Sequence, residues 1–228
     1  MPPLPPFSDI AIEFIYSLVI IASCLIIYFS TKEIYDLTSH KGIRYFRLAF
    51  MFFAIAFFFW FVIKFLVISF HLPRILHIQP EVFGILSLFV YIYASTIAMF
   101  YLLYSVMWEK IDPKSKSITF FHVIALAVSF ISIVIEHVVL LFLVQAAVFL
   151  YIAVQGYMSY KASARKKRTN HLYKIYVLLF VFWVLNILDI LIPDFDRGAE
   201  ILIYSVSALL FLLILHRVVK NTGLVRHG

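Results

Sequence analysis

Three ionisable side chains of this 228-residue chain fall inside long apolar stretches: Glu13, Lys64 and Asp189. A charged side chain at the centre of a membrane helix costs about 2.5–3.5 kcal/mol on insertion scales, so such residues are candidates for pairing or binding. Counted along their helices, the three lie at a similar depth near one membrane surface. The sequence therefore predicts an ion pair of Lys64 with Asp189 or Glu13, and snorkelling of Lys64 to that surface is the alternative.

Uncharged polar side chains occur at the same depth or nearer the middle of the membrane. Trp183, Asn186 and Asp189 are each three residues apart, so they share much of one helix face. If that face points into a helix bundle, it forms an outward-open polar pocket of the kind that binds small molecules. Hydrogen bonding between helices without a ligand is the other interpretation. The predicted pocket residues are Glu13, Lys64, Tyr91, Gln145, Trp183, Asn186 and Asp189, with Tyr16, Ser17, Ser95, Ser132 and Tyr204 as further polar groups.

Metal-binding and catalytic patterns are weak or missing in the sequence. His71, His77, Glu136 and His137 could offer nitrogen and oxygen ligands to zinc, but they show no HExxH or HxxxH spacing. We therefore predict no metal site and no cofactor. His122 is expected near the other membrane surface. No nucleophile–base pair or phosphate-binding loop is present, so we do not expect an enzyme.

These residues are carried by seven apolar segments. Hydrophobic residues make up 64% of the chain and charged residues 14%, against about 45–50% and about 25% in soluble domains. About 20 apolar residues cross a bilayer, which predicts one all-α domain over residues 1–228: a polytopic integral membrane protein with a seven-transmembrane-helix bundle. The predicted helices are 10–29, 48–70, 82–106, 118–135, 138–160, 172–192 and 201–215.

Two connections between the segments have specific expectations. Only Glu136 and His137 interrupt the apolar run from 118 to 160, which is too long for one span, so the chain must turn back there. After the first segment the helix is expected to continue by a turn or two and then to turn near Ser39–Gly42. Gly42 suits a helix terminus in the left-handed conformation. The single cysteine, Cys24, excludes an intrachain disulfide.

Lysine and arginine are concentrated on alternate loops. Sixteen of the 19 lie on one side of the seven predicted helices, namely Lys32, Lys41, Arg44, Arg47, Lys110, Lys114, Lys116, Lys161, Arg165, Lys166, Lys167, Arg168, Lys174, Arg217, Lys220 and Arg226. The opposite side has Arg74 and Arg197 alone. The positive-inside rule then places the N-terminus outside and the C-terminus in the cytoplasm. Acidic residues favour the outer side, which makes the outer mouth of the bundle electronegative; ordinary solvation of the loops is the favoured interpretation, and attraction of cations or cationic ligands is the alternative.

The fifth and sixth segments are joined by a strongly basic stretch. Its cytoplasmic basic surface consists of Lys161, Arg165, Lys166, Lys167 and Arg168, without an acidic residue between 161 and 174. One interpretation is a stop signal that binds lipid headgroups. The other is a docking surface for an acidic cytoplasmic protein. A role in binding nucleic acid is not expected of so short a loop beside a membrane.

The sequence favours a sensor, receptor-like signalling module or partner-regulating module in the cell membrane. The alternatives are a small-solute or ion transporter or channel, and a non-catalytic membrane scaffold subunit. All eight prolines lie outside the interiors of the predicted helices, so the broken helices that form midplane sites in many transporters are not expected.

Overall fold

A computed structural model describes residues 7–68, 80–108, 117–135, 138–165, 172–191 and 197–226, and the regular structure in these ranges is α-helical. The helices in these ranges are α1 (Phe7–Ser30), α2 (Lys32–Thr38), α3 (Lys41–Ile68), α4 (Pro80–Met107), α5 (Ser117–Ile135), α6 (Val138–Arg165), α7 (Leu172–Leu191) and α8 (Arg197–Arg226). The predicted turn at Glu136–His137 lies outside the described residues.

Several of these helices have the length and apolar composition of membrane spans. The five candidate spans are Ala11–Thr38, Lys41–Ile63, Val82–Met107, Ile118–Ile135 and Gly198–Lys220, and shorter apolar helical stretches cover Val144–Met158 and Tyr173–Leu188. The prediction of an all-helical, multi-pass membrane protein is confirmed. The count of seven spans and their orientation stay predictions.

The helices extend beyond the apolar segments from which they were predicted. The last predicted helix covered 201–215, whereas α8 runs from Arg197 to Arg226; the second began at 48, whereas α3 begins at Lys41. Lysine and arginine are good helix formers, so the backbone helix continues past the apolar residues into the basic flanks. Apolar runs therefore predict the part of a helix that faces hydrocarbon better than they predict its ends.

The turn before α3 forms where it was expected, but a different residue takes the left-handed conformation. Ser39 has φ 49° and ψ 25° and its amide donates to the Tyr35 carbonyl, while no described glycine has a positive φ. The expectation for Gly42 was therefore wrong. Gly42 lies in the first turn of α3, where a Cβ atom would stand 2.9 Å from Trp108 Cδ1 and 3.1 Å from the Ser105 carbonyl oxygen. A glycine is needed there because α3 and α4 approach closely.

The bundle is centred on α3 and α4. These two helices share the most extensive contact; α1 packs on α3 and α8, α7 lies between α6 and α8, and α4 also contacts α5 and α6. α5 is peripheral, since it packs mainly on α4 and leaves side chains such as Phe120 and Phe130 more than 60% exposed. We call the end of the bundle at which α1 begins the upper end, and the end at which α1 finishes the lower end.

Gly42→Ala should lower the free energy of unfolding by about 1–3 kcal/mol, because the new methyl group overpacks the α3–α4 contact. Gly84→Ala is the matched control, since a Cβ at Gly84 meets no atom within 4 Å and alanine is the better helix former by up to ~1 kcal/mol. Unfolding of the two variants in detergent, followed by circular dichroism, provides the comparison. Equal stability of both variants would contradict the close contact at Gly42.

Candidate functional site: a polar and aromatic cavity

Six helices surround a cavity of about 60 Å³ between the middle of the bundle and its upper end. One water molecule occupies about 10–15 Å³ of such a space, so the cavity has room for several waters or one small solute. The lining side chains are Glu13, Tyr16, Ser17, Phe53, Ala56, Phe57, Trp60, Phe61, Tyr91, Ser95, Met99, Phe142, Gln145, Phe149, Leu179, Phe182, Trp183, Asn186, Ile187 and Tyr204. α1, α3, α4, α6, α7 and α8 each contribute at least one.

Helical periodicity puts these residues on inward faces. On α1 the cavity residues Tyr16 and Ser17 follow Glu13 by three and four positions, and the same face continues with buried Ile20 and Ile27. Side chains at such spacings lie above one another on one side of a helix. On α1 the inward face is therefore polar and aromatic near the upper end and mainly apolar below.

A hydrogen bond joins α1 to α7 across the cavity. The Tyr16 hydroxyl donates to Asn186 Oδ1 at 2.6 Å. The Asn186 amide nitrogen donates to the Phe182 carbonyl oxygen at 2.8 Å, which orients the amide so that its oxygen faces Tyr16. The ring of Tyr16 stacks on that of Tyr204 with centroids 4.9 Å apart. α1, α7 and α8 are thereby held in one register at the depth of the cavity.

Two carboxylates converge on the hydroxyl of Tyr204. It lies 3.1 Å from Glu200 Oε1, one turn earlier on α8, and 3.4 Å from Glu13 Oε1 on α1. The Tyr204 hydroxyl thus lies within hydrogen-bond distance of two carboxylates from different helices, and it links α1 to α8 at the upper side of the cavity.

The opposite wall is formed by Gln145, a buried residue of α6. Its amide nitrogen donates to Ser95 Oγ and Thr96 Oγ1 of α4, both at 3.3 Å, and Ser95 Oγ donates to the Ile92 carbonyl oxygen at 3.0 Å. Both amide protons are therefore used. No described residue donates a hydrogen bond to Gln145 Oε1. This oxygen is nevertheless not fully buried, so it can accept a hydrogen bond from a molecule in the cavity.

Aromatic rings form most of the remaining wall. Trp60 lies 5.0 Å from Tyr91, Phe149 lies 5.5 Å from Trp183, and Phe57 lies 5.8 Å from Phe182, measured between ring centroids. Aromatic faces carry negative electrostatic potential and attract cations within about 6 Å. A space lined by carboxylate, carbonyl and aromatic groups suits a small hydrogen-bond donor or a small cation.

Five of the predicted pocket residues lie around this one cavity, namely Glu13, Tyr91, Gln145, Trp183 and Asn186. The side chains of Lys64 on α3 and Asp189 on α7 lie outside the described residues, so their ion pair stays a prediction. Of the further polar groups, Tyr16, Ser17, Ser95 and Tyr204 also line the cavity. Ser132 belongs to α5, which does not reach it, and donates to the Val128 carbonyl oxygen.

The metal candidates His71, His77, Glu136 and His137 lie outside the described residues. Within the described ranges, no three or more histidine, cysteine, aspartate or glutamate side chains form a group that could hold a metal ion. Of the predicted basic surface, Lys161 is described and is exposed. The side chains of Arg165, Lys166, Lys167 and Arg168 lie outside the described part of the chain.

One polar cluster was missed from the sequence. His122 of α5, which was expected near a membrane surface, is half-buried and accepts or donates hydrogen bonds at both ring nitrogens: Nδ1 lies 2.7 Å from the Tyr93 hydroxyl and Nε2 lies 2.8 Å from the Tyr101 hydroxyl. Tyr93 and Tyr101 are eight residues apart on α4 and so share a face. The sequence shows this spacing of the two tyrosines, but it does not show that His122 on another helix is their partner.

Comparison with known proteins gives one relative over nearly the full length. The chain is 30% identical over 226 residues to a protein of Archaeoglobus fulgidus described as an uncharacterized protein, and the match covers 96% of each chain. No family model matches the sequence, and no solved structure matches it.

Tyr16 and Asn186 should show an energetic coupling of about 0.5–1.5 kcal/mol in a double-mutant cycle of Tyr16→Phe and Asn186→Leu, the range found for hydrogen bonds between membrane helices. Stability in detergent of the two single variants and the double variant gives the coupling. Purely additive losses would show that the hydroxyl and the amide do not interact across the cavity.

Proposed function

We propose that this chain, which belongs to the same family as the Archaeoglobus fulgidus protein, is a sensor or receptor-like module of the cell membrane. A small solute binds in the cavity and changes how the surrounding helices pack, and this change is passed to a protein partner at the lower end. In this proposal seven helices span the membrane, the upper end faces outward, and the lower end and the C-terminus are cytoplasmic.

The observation that carries the proposal is the cavity itself. A solute in it touches six helices at once, so its binding free energy can favour one arrangement of those helices over another. A ligand shifts such an equilibrium only by its difference in affinity for the two arrangements. Contacts spread over many helices provide that difference more readily than contacts to one helix.

The mainly apolar lower half of the described bundle favours sensing over transport. Below the cavity the core is mainly apolar, with fully buried Ile27, Phe50, Leu102 and Phe211, and it includes one buried hydrogen bond between Ser105 Oγ and the Tyr176 hydroxyl. A transport path needs polar groups or water along its length, because an ion or polar solute is costly to move through an apolar core. The described polar groups that surround a cavity lie at the upper end of this core, and the buried Ser105 and Tyr176 below it are bonded to each other.

The charge at the lower end supports its cytoplasmic placement. Lysine and arginine side chains are exposed there at Lys32, Lys41, Arg44, Lys161, Lys174, Arg217 and Lys220. Excess lysine and arginine is typical of cytoplasmic membrane surfaces. The same charge would attract an acidic face of a soluble partner, which is the role proposed for the basic surface that begins at Lys161.

Ser17→Leu tests ligand binding, because it fills the cavity without removing a hydrogen bond of the described residues. The protein in lipid nanodiscs is titrated with ammonium, methylammonium, tetramethylammonium, glycine, urea and glycerol while tryptophan fluorescence is recorded, since Trp60 and Trp183 line the cavity. We expect at least one saturable response, and an affinity at least roughly tenfold lower in Ser17→Leu, since overpacking a filled site costs about 1–3 kcal/mol. Ala22→Leu, on the exposed side of α1, is the matched control and should bind normally.

Transport assays in liposomes decide between the sensor and its main alternative. Protein-dependent uptake of any of these solutes that is lost in Ser17→Leu would show a transporter and overturn the sensor proposal. Capture of a cytoplasmic partner that is lost when Arg165, Lys166, Lys167 and Arg168 are replaced by glutamine would support it. A captured partner without any response to solutes would indicate the scaffold alternative.

A further inference from the structure

Arg47 is a buried cation at the lower end of the bundle, far from the cavity. Its side chain is 9% exposed. Nε donates to the Tyr28 carbonyl oxygen at 3.1 Å, and the guanidinium carbon lies 4.8 Å from the centre of the Tyr28 ring and 5.6 Å from that of Tyr35. The guanidinium is thus held in place by one hydrogen bond and two aromatic rings.

Local backbone geometry explains why this position suits an arginine. Tyr28 is in the last turn of α1, where carbonyl groups lack the amide partners that a continuing helix would give them. α1 ends at Ser30, the Thr31 hydroxyl donates to the Ile27 carbonyl oxygen, and α2 then begins at Lys32 and brings Tyr35 over the same site. Arg47 enters from the second turn of α3. The site is therefore built by three helices.

The charge of Arg47 has no counter-ion among the described residues. No described carboxylate forms an ion pair with it, and Glu33 and Asp36 of neighbouring α2 have exposed side chains. Buried charges are normally paired. The fully buried side-chain nitrogens and oxygens without a partner in the described ranges are His40 Nδ1 and Ser207 Oγ. The terminal nitrogens of Arg47 are not among them, although no described residue accepts a hydrogen bond from them, so they are not fully enclosed by the described part of the protein.

We propose that Arg47, with Tyr28 and Tyr35, forms a binding site for the phosphate group of an anionic phospholipid in the lower leaflet. The planar fork of an arginine matches two phosphate oxygens at once. Arg47 lies six residues, roughly 9 Å, from the start of α3, near the level of lipid headgroups. Exposed Lys32, Lys41 and Arg44 belong to the same end of the bundle; in a bilayer such side chains attract the anionic surface as a whole and need not contact the one phosphate bound at Arg47.

A bound phosphate would connect three helices. It would supply the counter-ion that Arg47 lacks among the described residues, and through Arg47 it would link α3 to the junction between α1 and α2. Free phosphate has the same chemistry, so the lipid and the soluble anion have to be distinguished by experiment. The site is independent of the cavity, and its test is independent of any solute bound there.

The test uses the full-length protein in detergent, with thermal unfolding and native mass spectrometry as measurements. The probes are dioleoylphosphatidylglycerol, dioleoylphosphatidylcholine and inorganic phosphate. We expect phosphatidylglycerol to bind and to raise the unfolding temperature of the wild type. Arg47→Gln should weaken this binding about tenfold, as expected when a charge-assisted hydrogen bond is lost. Arg44→Gln removes the same charge from an exposed arginine one turn away and should keep nearly normal binding.

The outcomes separate the possible sources of the phosphate. If inorganic phosphate stabilises the wild type but not Arg47→Gln, and phosphatidylglycerol adds nothing, the site exists but its ligand is soluble. Equal effects of Arg47→Gln and Arg44→Gln would overturn the proposal, because they would reflect general attraction of a basic surface. Should Arg47→Gln fail to fold, Tyr35→Leu keeps the charge and removes one ring, with Tyr157→Leu at an exposed tyrosine as its control. Equal lipid binding by these two variants would then overturn the proposal.

Discussion

The structure depends on one constraint: inside a bilayer a polar side chain must find its partner within the protein. An unpartnered amide or hydroxyl in an apolar medium costs several kcal/mol. Some side chains bond to the backbone of their own helix, and several others have their partners on a different helix. Tyr16 meets Asn186 between α1 and α7, Gln145 meets Ser95 and Thr96 between α6 and α4, and His122 meets Tyr93 between α5 and α4. Apolar contacts distinguish poorly between neighbouring helices and lipid, so these bonds set the register of the bundle.

The same constraint explains where the cavity lies. The residues that hold α1, α6, α7 and α8 together are concentrated towards the upper end, and bulky aromatic side chains between them leave a space that aliphatic packing would have filled. The lower half is mainly apolar inside, with residues such as Ile27 and Phe211, and its buried Ser105 and Tyr176 hydroxyls are bonded to each other. The bundle thus has a polar upper half with a cavity and a mainly apolar lower half, and Arg47 is buried near the lower end against the rings of Tyr28 and Tyr35.

The sequence predicted the parts of this structure that depend on local pattern. Long apolar runs predicted the helices, and intramembrane polar residues predicted Glu13, Gln145 and Asn186 as neighbours of one pocket, although ligand binding by them stays a prediction. It could not predict contacts between distant segments. The rings around Arg47 come from two other helices, and the partners of His122 come from α4. Gly42 was assigned to a turn because glycine is common there; the real reason for it, the approach of Trp108, requires knowledge of how α3 meets α4.

In the proposed sensor, water reaches the cavity from the upper end and does not continue to the lower end. Silver ions are small and react with thiols, so they report water-filled space when cysteines are introduced into a Cys24→Ser background. Position 17 lines the cavity, and position 27 lies in the apolar core below it. The Ser17→Cys and Ile27→Cys variants are placed in sealed vesicles and treated with silver, and a later thiol label shows which cysteines silver has blocked. We expect silver to block Ser17→Cys from the upper side alone and to leave Ile27→Cys unmodified. Modification of Ser17→Cys from the lower side, or of Ile27→Cys from either side, would contradict this proposal.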